Sequence, residues 1–286
     1  MHKSGFVNIV GNPNVGKSTL MNLLVGEKIS IITSKAQTTR HRILGIVNTE
    51  DYQIVYSDTP GVLRPNYNFS ESALNDADVL IYMTDVIEKT SKNEEFLQKV
   101  QKVDVPVLLL INKIDQTNQQ ELENLVAQWH ELLPKAEIYP LSALNRFNVD
   151  TIKKRVLDLI PESPPYFEKD ALTDRPARFF VTEIIREKIL LYYQKEVPYS
   201  VEVIVELFKE EKDIINIKAL IIVERDTQKG IIIGHKGSAL KKVGTMARKD
   251  IERFFDKKIF LEIFVKVEKD WRSRDNLLRQ FGYRLD

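Results

Sequence analysis

Gly11-Asn12-Pro13-Asn14-Val15-Gly16-Lys17-Ser18 has the spacing G-x-x-x-x-G-K-S, that of a backbone loop able to hold phosphate. Its glycines let successive N–H groups face one anion, and a helix opening at Thr19 adds the positive end of its dipole. In such a loop Lys17 reaches the β- and γ-phosphates, the Ser18 hydroxyl ligates Mg²⁺, and Thr19 joins the phosphate contacts. The motif needs a strand before it and a helix after it. The apolar run 6–10 and the helical pattern 19–25 supply both.

Four further stretches carry compatible chemistry. In Asp58-Thr59-Pro60-Gly61, the carboxylate is placed to hold Mg²⁺ through water, and the glycine N–H can approach a γ-phosphate with no side chain intervening. In Asn112-Lys113-Ile114-Asp115, one carboxylate can accept the adjacent N1–H and N2–H₂ donors of guanine. Adenine lacks that pair and leaves the carboxylate buried and unpaired, a mismatch worth on the order of 10⁴-fold. The Lys113 stem can lie along the base, and Asn112 can tie its loop to the phosphate loop. Ser142-Ala143-Leu144 is small enough for a backbone N–H to reach the guanine O6. Between the phosphate loop and Asp58, the polar segment 33–42 sits where a γ-phosphate sensor belongs. Thr39, with Thr38 as the alternative, is the threonine expected to complete the Mg²⁺ shell and order this loop around a triphosphate.

These residues need a scaffold that converges them. Apolar runs at 6–10, 54–57, 79–84, 105–111 and 138–141 alternate with helical patterns at 93–102, 119–133 and 149–160. That alternation predicts a mostly parallel sheet with helices on both faces, with 43–48 pairing antiparallel to 52–57. Each motif follows a predicted strand, and ligands of such sheets bind at the carboxyl ends of the strands.

With 286 residues, 43% apolar and 29% charged, the chain reads as two globular domains. The absence of cysteine excludes disulfides, thiolate metal sites and thiol nucleophiles, and fits a reducing compartment. The first predicted strand begins almost at once, leaving no room for a signal peptide, and no apolar stretch is long enough to span a bilayer. The four histidines have no ligand spacing, so no zinc site is expected, and Trp129 and Trp271 read as packing residues. The net charge of +1 conceals −3 over residues 1–164 and +4 over 165–286. Three prolines in 161–165 and Pro176 bracket an extended linker. The boundaries are 1–165, a linker at 166–176, and 177–286.

The second domain reads α-β-β-α-α-β. A helix over 177–194 is followed by a strand with Val201, Val203, Val205 and Leu207 on one face, then an apolar run at 216–223. Next come Ile231-Ile232-Ile233-Gly234-His235-Lys236-Gly237, a helix to Phe255, and a strand with Ile259, Leu261, Ile263, Val265 and Val267 on one face. A G-x-x-G turn between two helices lets a sugar–phosphate backbone approach closely. His235, Lys236, Lys241 and Lys242 project basic groups, and Ile233 borders a base-binding groove. The segment 229–258 carries nine basic and three acidic residues, as expected for a polyanion partner.

On Gly11–Ser18, Gln37-Thr38-Thr39-Arg40, Asp58–Gly61, Asn112–Asp115 and Ser142-Ala143, the chain resembles GTPases of the Era type, and on 198–201 and 234–237 their second-type KH domain. The resemblance implies an α/β P-loop GTPase domain followed by a small α+β KH domain, using GTP, GDP and Mg²⁺ with slow intrinsic hydrolysis. It implies binding to the 3′ end of small-subunit ribosomal RNA and to the immature small subunit. It also implies a cytoplasmic monomer with weak peripheral association at the inner face of the cell membrane. Ras-like enzymes orient the attacking water with a glutamine after the D-x-x-G element. Here that position is Val62, so no catalytic base is assigned, and Asn14 becomes the candidate ligand for a K⁺ beside the phosphates. The rival expectation is a GTPase regulating a membrane or protein partner, its second domain a protein-interaction module.

Overall fold

The computed structural model describes residues 1–33, 35, 39–59, 74 and 76–283. Gln37, Thr38, Pro60, Gly61 and Val62 lie outside the described residues. The chain divides into two compact units, Met1–Asp174 and Arg175–Asp286.

The first unit contains, in order, β1 (Lys3–Gly11), α1 (Lys17–Val25), β2 (Ile43–Asn48), β3 (Tyr52–Asp58), β4 (Val79–Asp85), α2 (Glu94–Val100), β5 (Val107–Asn112), α3 (Gln119–Leu132), β6 (Glu137–Pro140) and α4 (Val149–Leu159). The sheet order is β2-β3-β1-β4-β5-β6, with only β2 antiparallel to its neighbour. All seven residues of β4 are buried, as a central parallel strand covered on both faces must be. On one face Tyr82, Leu109 and Ile111 pack with Phe96, Leu97 and Trp129 of α2 and α3. Asn118 starts α3 by accepting the Glu121 N–H at 3.0 Å, which satisfies a donor the helix itself cannot.

The segment expected as an extended linker at 166–176 is largely part of this unit. Buried Gln53 donates to the Phe167 carbonyl at 2.9 Å and accepts the N–H groups of Tyr166 and Phe167 at 2.7 and 2.9 Å. The Ile46 N–H donates to the Leu172 carbonyl at 2.8 Å, and the Leu44 N–H to Asp174 Oδ1 at 3.1 Å. The edge strand β2 offers unpaired backbone groups, and 171–174 covers them.

The second unit contains α5 (Ala177–Tyr192), β7 (Glu202–Glu210), β8 (Ile214–Val223), α6 (Asp226–Ile233), α7 (Ser238–Phe255), β9 (Lys258–Val267) and the terminal α8 (Asp275–Gln280). Its sheet is β7-β8-β9, antiparallel then parallel. Val181, Ile185 and Ile189 of α5 and Val243, Ala247 and Ile251 of α7 bury one face of it. The strict alternation expected in β7 fails at Leu207. A register shift lies between Val205 and Leu207, and one extra residue flips every later side chain to the opposite face. Leu207 is therefore 46% exposed while Phe208 packs on the core. Trp271 is buried and donates its Nε1–H to the Ser200 carbonyl at 3.2 Å, as a packing residue would.

Trp129 is 2% exposed and meets the Tyr82 ring edge-on at 5.8 Å, yet its Nε1 has no hydrogen-bond partner among the described residues. Trp129→Ala should cost about 3–5 kcal/mol. Trp129→Phe, which also removes the unsatisfied donor, should cost under about 1.5 kcal/mol. Urea unfolding followed by hydrogen exchange of the β4 and β5 amides distinguishes the two. Equal costs would mean the indole N–H is satisfied.

Candidate functional site

The phosphate loop runs from the end of β1 into α1, and its backbone leaves ordinary space at two kinds of position. Asn14 has φ 68°, a left-handed conformation that asparagine tolerates better than most residues. Gly16 has φ 107°, and a Cβ there would lie 2.3 Å from Asn112 Nδ2. Asn112 itself, at the end of β5, donates to the Val15 carbonyl at 2.8 Å and accepts the Ala143 N–H at 2.9 Å. One buried amide thus joins the phosphate loop, the β5 loop and the β6 loop. The Ala143 N–H, expected to face a base oxygen, is in this structure donated to Asn112.

Lys17 is buried, and its Nζ donates to the carbonyls of Gly11 and Asn12 at 3.0 and 2.8 Å. Burial pushes its pKa down to about 8, against the opposing pull of Asp58 and Glu88. Asp58, fully buried at the end of β3, has the converse problem. Burial pushes its carboxyl pKa up, partly offset by Lys17 and by hydrogen bonds from Ser18, Ser30 and Thr39. Ser18 Oγ donates to Asp58 Oδ2 at 2.7 Å and lies 3.0 Å from Thr39 Oγ1. Asp58 Oδ1 is buried with no hydrogen-bond partner among the described residues. Ser18 Oγ, Thr39 Oγ1 and Asp58 Oδ2 converge, and the other oxygen of the same carboxylate, Oδ1, lacks a donor among the described residues; this donor set fits a hard divalent cation such as Mg²⁺. Thr59 does structural work here, its hydroxyl donating to the Ile9 carbonyl at 2.8 Å.

Asp115 is held from the β6 loop, where the Ser142 hydroxyl donates to its Oδ1 at 2.5 Å. Lys113, at φ 63°, reaches back to Asp85 Oδ2 at 2.5 Å, which pins the aliphatic stem. A cavity of about 380 Å³ is lined by Pro13, Asn14 and Gly16–Thr19 together with Thr39, Asn112, Lys113, Asp115 and Ala143. Stretches over 100 residues apart in the chain are thereby brought to one place. The same cavity is lined by Ile31, Ile32 and Gln116, which sequence reasoning did not single out. It also missed Asp85 and Glu88, the latter accepting Asn12 Nδ2 at 2.5 Å. Their signal was available, since both carboxylates stand at the carboxyl end of a predicted strand.

In the second unit, α6 ends at Gly234 with φ 70°, Lys236 has φ 48° and Gly237 φ 78°, after which α7 begins. The two glycines differ. A Cβ on Gly234 would stand 2.6 Å from Ala239 Cβ, whereas one on Gly237 would meet nothing within 4 Å. His235, Lys236, Lys241 and Lys242 are exposed and Ile233 is half-buried. Lys242 Nζ lies 4.6 Å from the centre of the Tyr192 ring, so this lysine is drawn onto an aromatic face. Ile232 belongs to the core, with its carbonyl accepting the Tyr193 hydroxyl at 2.6 Å. That leaves Ile231, 51% exposed, and Ile233 to border any groove.

A bound polyphosphate would supply the negative charge that buried Lys17 lacks and raise its pKa. Above pH 8 the free protein carries this group partly neutral, so nucleotide binding must take up a proton there, and affinity must fall as pH rises through that window. At pH 8.5 the uptake should be roughly half a proton or more. Titration calorimetry with GDP in two buffers of different ionisation enthalpy measures it. Equal heats in both buffers would contradict the depressed pKa.

Comparison with known proteins bears on both units. Residues 6–113 match a family described as 50S ribosome-binding GTPase, and residues 196–272 match the KH domain. GTPase Era of Clostridium kluyveri is 42% identical over 99% of this chain and 100% of its own length. GTPase Era of Geotalea daltonii is 46% identical over 98% and 97%. A crystal structure of Era in complex with MgGDPNP and nucleotides 1506–1542 of 16S ribosomal RNA superposes with a TM-score of 0.93 at 40% identity, covering all of both chains. An Aquifex aeolicus Era variant bound to GDP·AlF₄⁻ gives the same TM-score and identity, over 99% of this chain and 100% of that one. With relatives above 40% identity along its whole length, and with both domain types in the same order, the chain belongs to the Era family of GTPases.

Proposed function

We propose that this GTPase is a nucleotide-controlled switch that binds the 3′ end of small-subunit ribosomal RNA and assists small-subunit assembly on the immature particle. The observation that carries the reading is full-length similarity, both domains together, to an Era crystallised with MgGDPNP and a 3′ fragment of 16S ribosomal RNA. In this reading residues 11–19 hold the phosphates, and Ser18, Thr39 and Asp58 hold Mg²⁺, Asp58 through water. The cation neutralises charge on the β- and γ-phosphates. Asp115 accepts the guanine donors, held by Ser142, while Asn112 keeps the base loops and the phosphate loop in one register. Lys17 leaves its two carbonyl partners for the phosphates. The second unit presents the 234–237 turn and the flanking basic residues to an RNA backbone. The family reading carries also a monomer working in the cytoplasm, with weak peripheral association at the inner face of the cell membrane. No helix among the described residues is long and apolar enough to cross a membrane.

Hydrolysis transfers the γ-phosphoryl group to water, giving GDP and phosphate. With valine at position 62, positioning and charge neutralisation must replace a water-orienting side chain. K⁺ held by Asn14 would supply such charge. Hydrolysis should then run faster in K⁺ than in Na⁺ at equal ionic strength, and Asn14→Gly, which keeps the left-handed backbone, should shrink the difference. Equal rates in the two salts remove the K⁺ assignment.

The RNA reading is tested at Gly237, where a Cβ meets nothing within 4 Å and where the φ of 78° strains aspartate and asparagine less than other side chains. Gly237→Asp should weaken binding of a 16S 3′-end RNA at least tenfold at fixed salt, because a carboxylate repels phosphate. Gly237→Asn, of the same shape and uncharged, should bind more tightly than the aspartate variant. RNA affinity is measured with a non-hydrolysable GTP analogue and with GDP. If the nucleotide state shifts it, RNA must shift the ratio of the two nucleotide affinities by the same factor. Parental RNA binding by Gly237→Asp would leave the second unit to a protein partner.

A further inference from the structure

Asp58 receives a hydrogen bond from a residue outside the nucleotide-binding motifs. Ser30, 2% exposed, donates its hydroxyl to Asp58 Oδ2 at 3.0 Å. Its backbone is fixed on both sides by one side chain of α1. Asn22 Oδ1 accepts the N–H groups of Ile29 and Ser30 at 3.0 and 2.9 Å, and Asn22 Nδ2 donates to the Ser30 carbonyl at 2.8 Å. Asn22 lies four residues after Ser18, hence on the same side of the helix one turn along. The helix that presents Ser18 to a cation therefore also holds the serine that grips the carboxylate opposite.

The donors around Asp58 Oδ2 have different fates when a cation binds. Ser18 and Thr39 hydroxyls, now on or near Oδ2 at 2.7 and 3.4 Å, turn their lone pairs to the metal. Ser30 is buried, lies outside the nucleotide cavity lining, and has no reason to leave. We infer that Ser30, anchored by Asn22, is the positioning residue that holds the Asp58 carboxylate in place for Mg²⁺, and so sets how strongly nucleotide retention depends on that ion. Neither residue touches metal or nucleotide; both act through Asp58. The inference rests on the reading of Ser18, Thr39 and Asp58 as the Mg²⁺ site.

The test is the dissociation rate of a fluorescent GDP analogue from the full chain, measured against free Mg²⁺ concentration and again in excess EDTA. In Ser30→Ala the Mg²⁺ concentration for half-maximal slowing should rise about tenfold, the loss of one hydrogen bond to a charged group. The rate in EDTA should stay parental. Asn22→Ala should shift the same midpoint in the same direction, and the double variant should go little beyond Ser30→Ala, since both act along one path. Asn22→Ala also keeps the test open should Ser30→Ala fold poorly, as melting of the nucleotide-free protein would reveal. Parental Mg²⁺ dependence in both variants overturns the inference. So does equal acceleration with and without Mg²⁺, which marks a general loosening of the loop. A parent chain whose GDP release ignores Mg²⁺ overturns the metal-site reading itself, and this inference with it.

Discussion

Two buried groups of opposite charge, neither fully satisfied, govern the first unit. Lys17 spends its donors on backbone carbonyls, and Asp58 leaves one carboxylate oxygen without a donor among the described residues. Burial drives both towards neutrality. An isolated protein pays for such an arrangement, because buried charge without a matched partner costs several kcal/mol. A ligand bringing phosphate to one and a divalent cation to the other relieves both deficits at once. On the proposed reading, the binding energy of a magnesium nucleotide is in this sense prepared in the fold. The scaffold has to be stiff enough to keep it so, which a central strand buried on both faces, β4, and its parallel neighbours provide.

Stiffness alone does not bring distant loops into register. Asn112 does that with two hydrogen bonds and one packing contact: its donor on the phosphate loop, its acceptor on the β6 loop, its body against Gly16. The contact distances leave no room for a side chain at position 16. The phosphate loop and the two loops proposed to read the base are therefore mechanically joined within the fold itself. Ser142 on Asp115 and Asp85 on Lys113 extend the same logic, each restricting a side chain that would otherwise sample several rotamers.

The mostly parallel sheet was legible because parallel strands buried on both faces read as unbroken apolar runs; 79–84 and 105–111 are cases in point. The nucleotide stretches were legible because each combines a rare residue type with a fixed spacing. What escaped has a common physical character. Asn22 and Ser30 bond to backbone and to a side chain across a loop, which leaves no periodicity. The bulge in β7 depends on one residue of slippage, and apolar alternation through Leu207 looked like a regular strand. The segment 166–174 lies between the prolines at 165 and 176 and carries the charges of a linker, yet its backbone groups satisfy those of β2 and Gln53. Only the three-dimensional partner discloses that. The short terminal helix, Asp275–Gln280, is too brief for its pattern to stand out.

The two glycine turns of the chain solve related problems in opposite ways. Both precede a helix and both use left-handed glycine, which leaves the backbone donors of the helix start open to an anion. In the first, Gly16 is packed against Asn112 and the adjacent lysine is buried, a setting suited to one small polyanion. Low dielectric strengthens each contact there. In the second, Gly237 faces open space and His235 and Lys236 are exposed. Charges in that setting are screened by salt and individually weak. A polymer supplies many phosphates and bases, so a shallow, exposed turn suffices where contacts accumulate along its length. A single nucleotide offers few, so each must be made in advance and at full strength. On the proposed reading, burial at Lys17 and exposure at Lys236 are the two answers to that difference in ligand size.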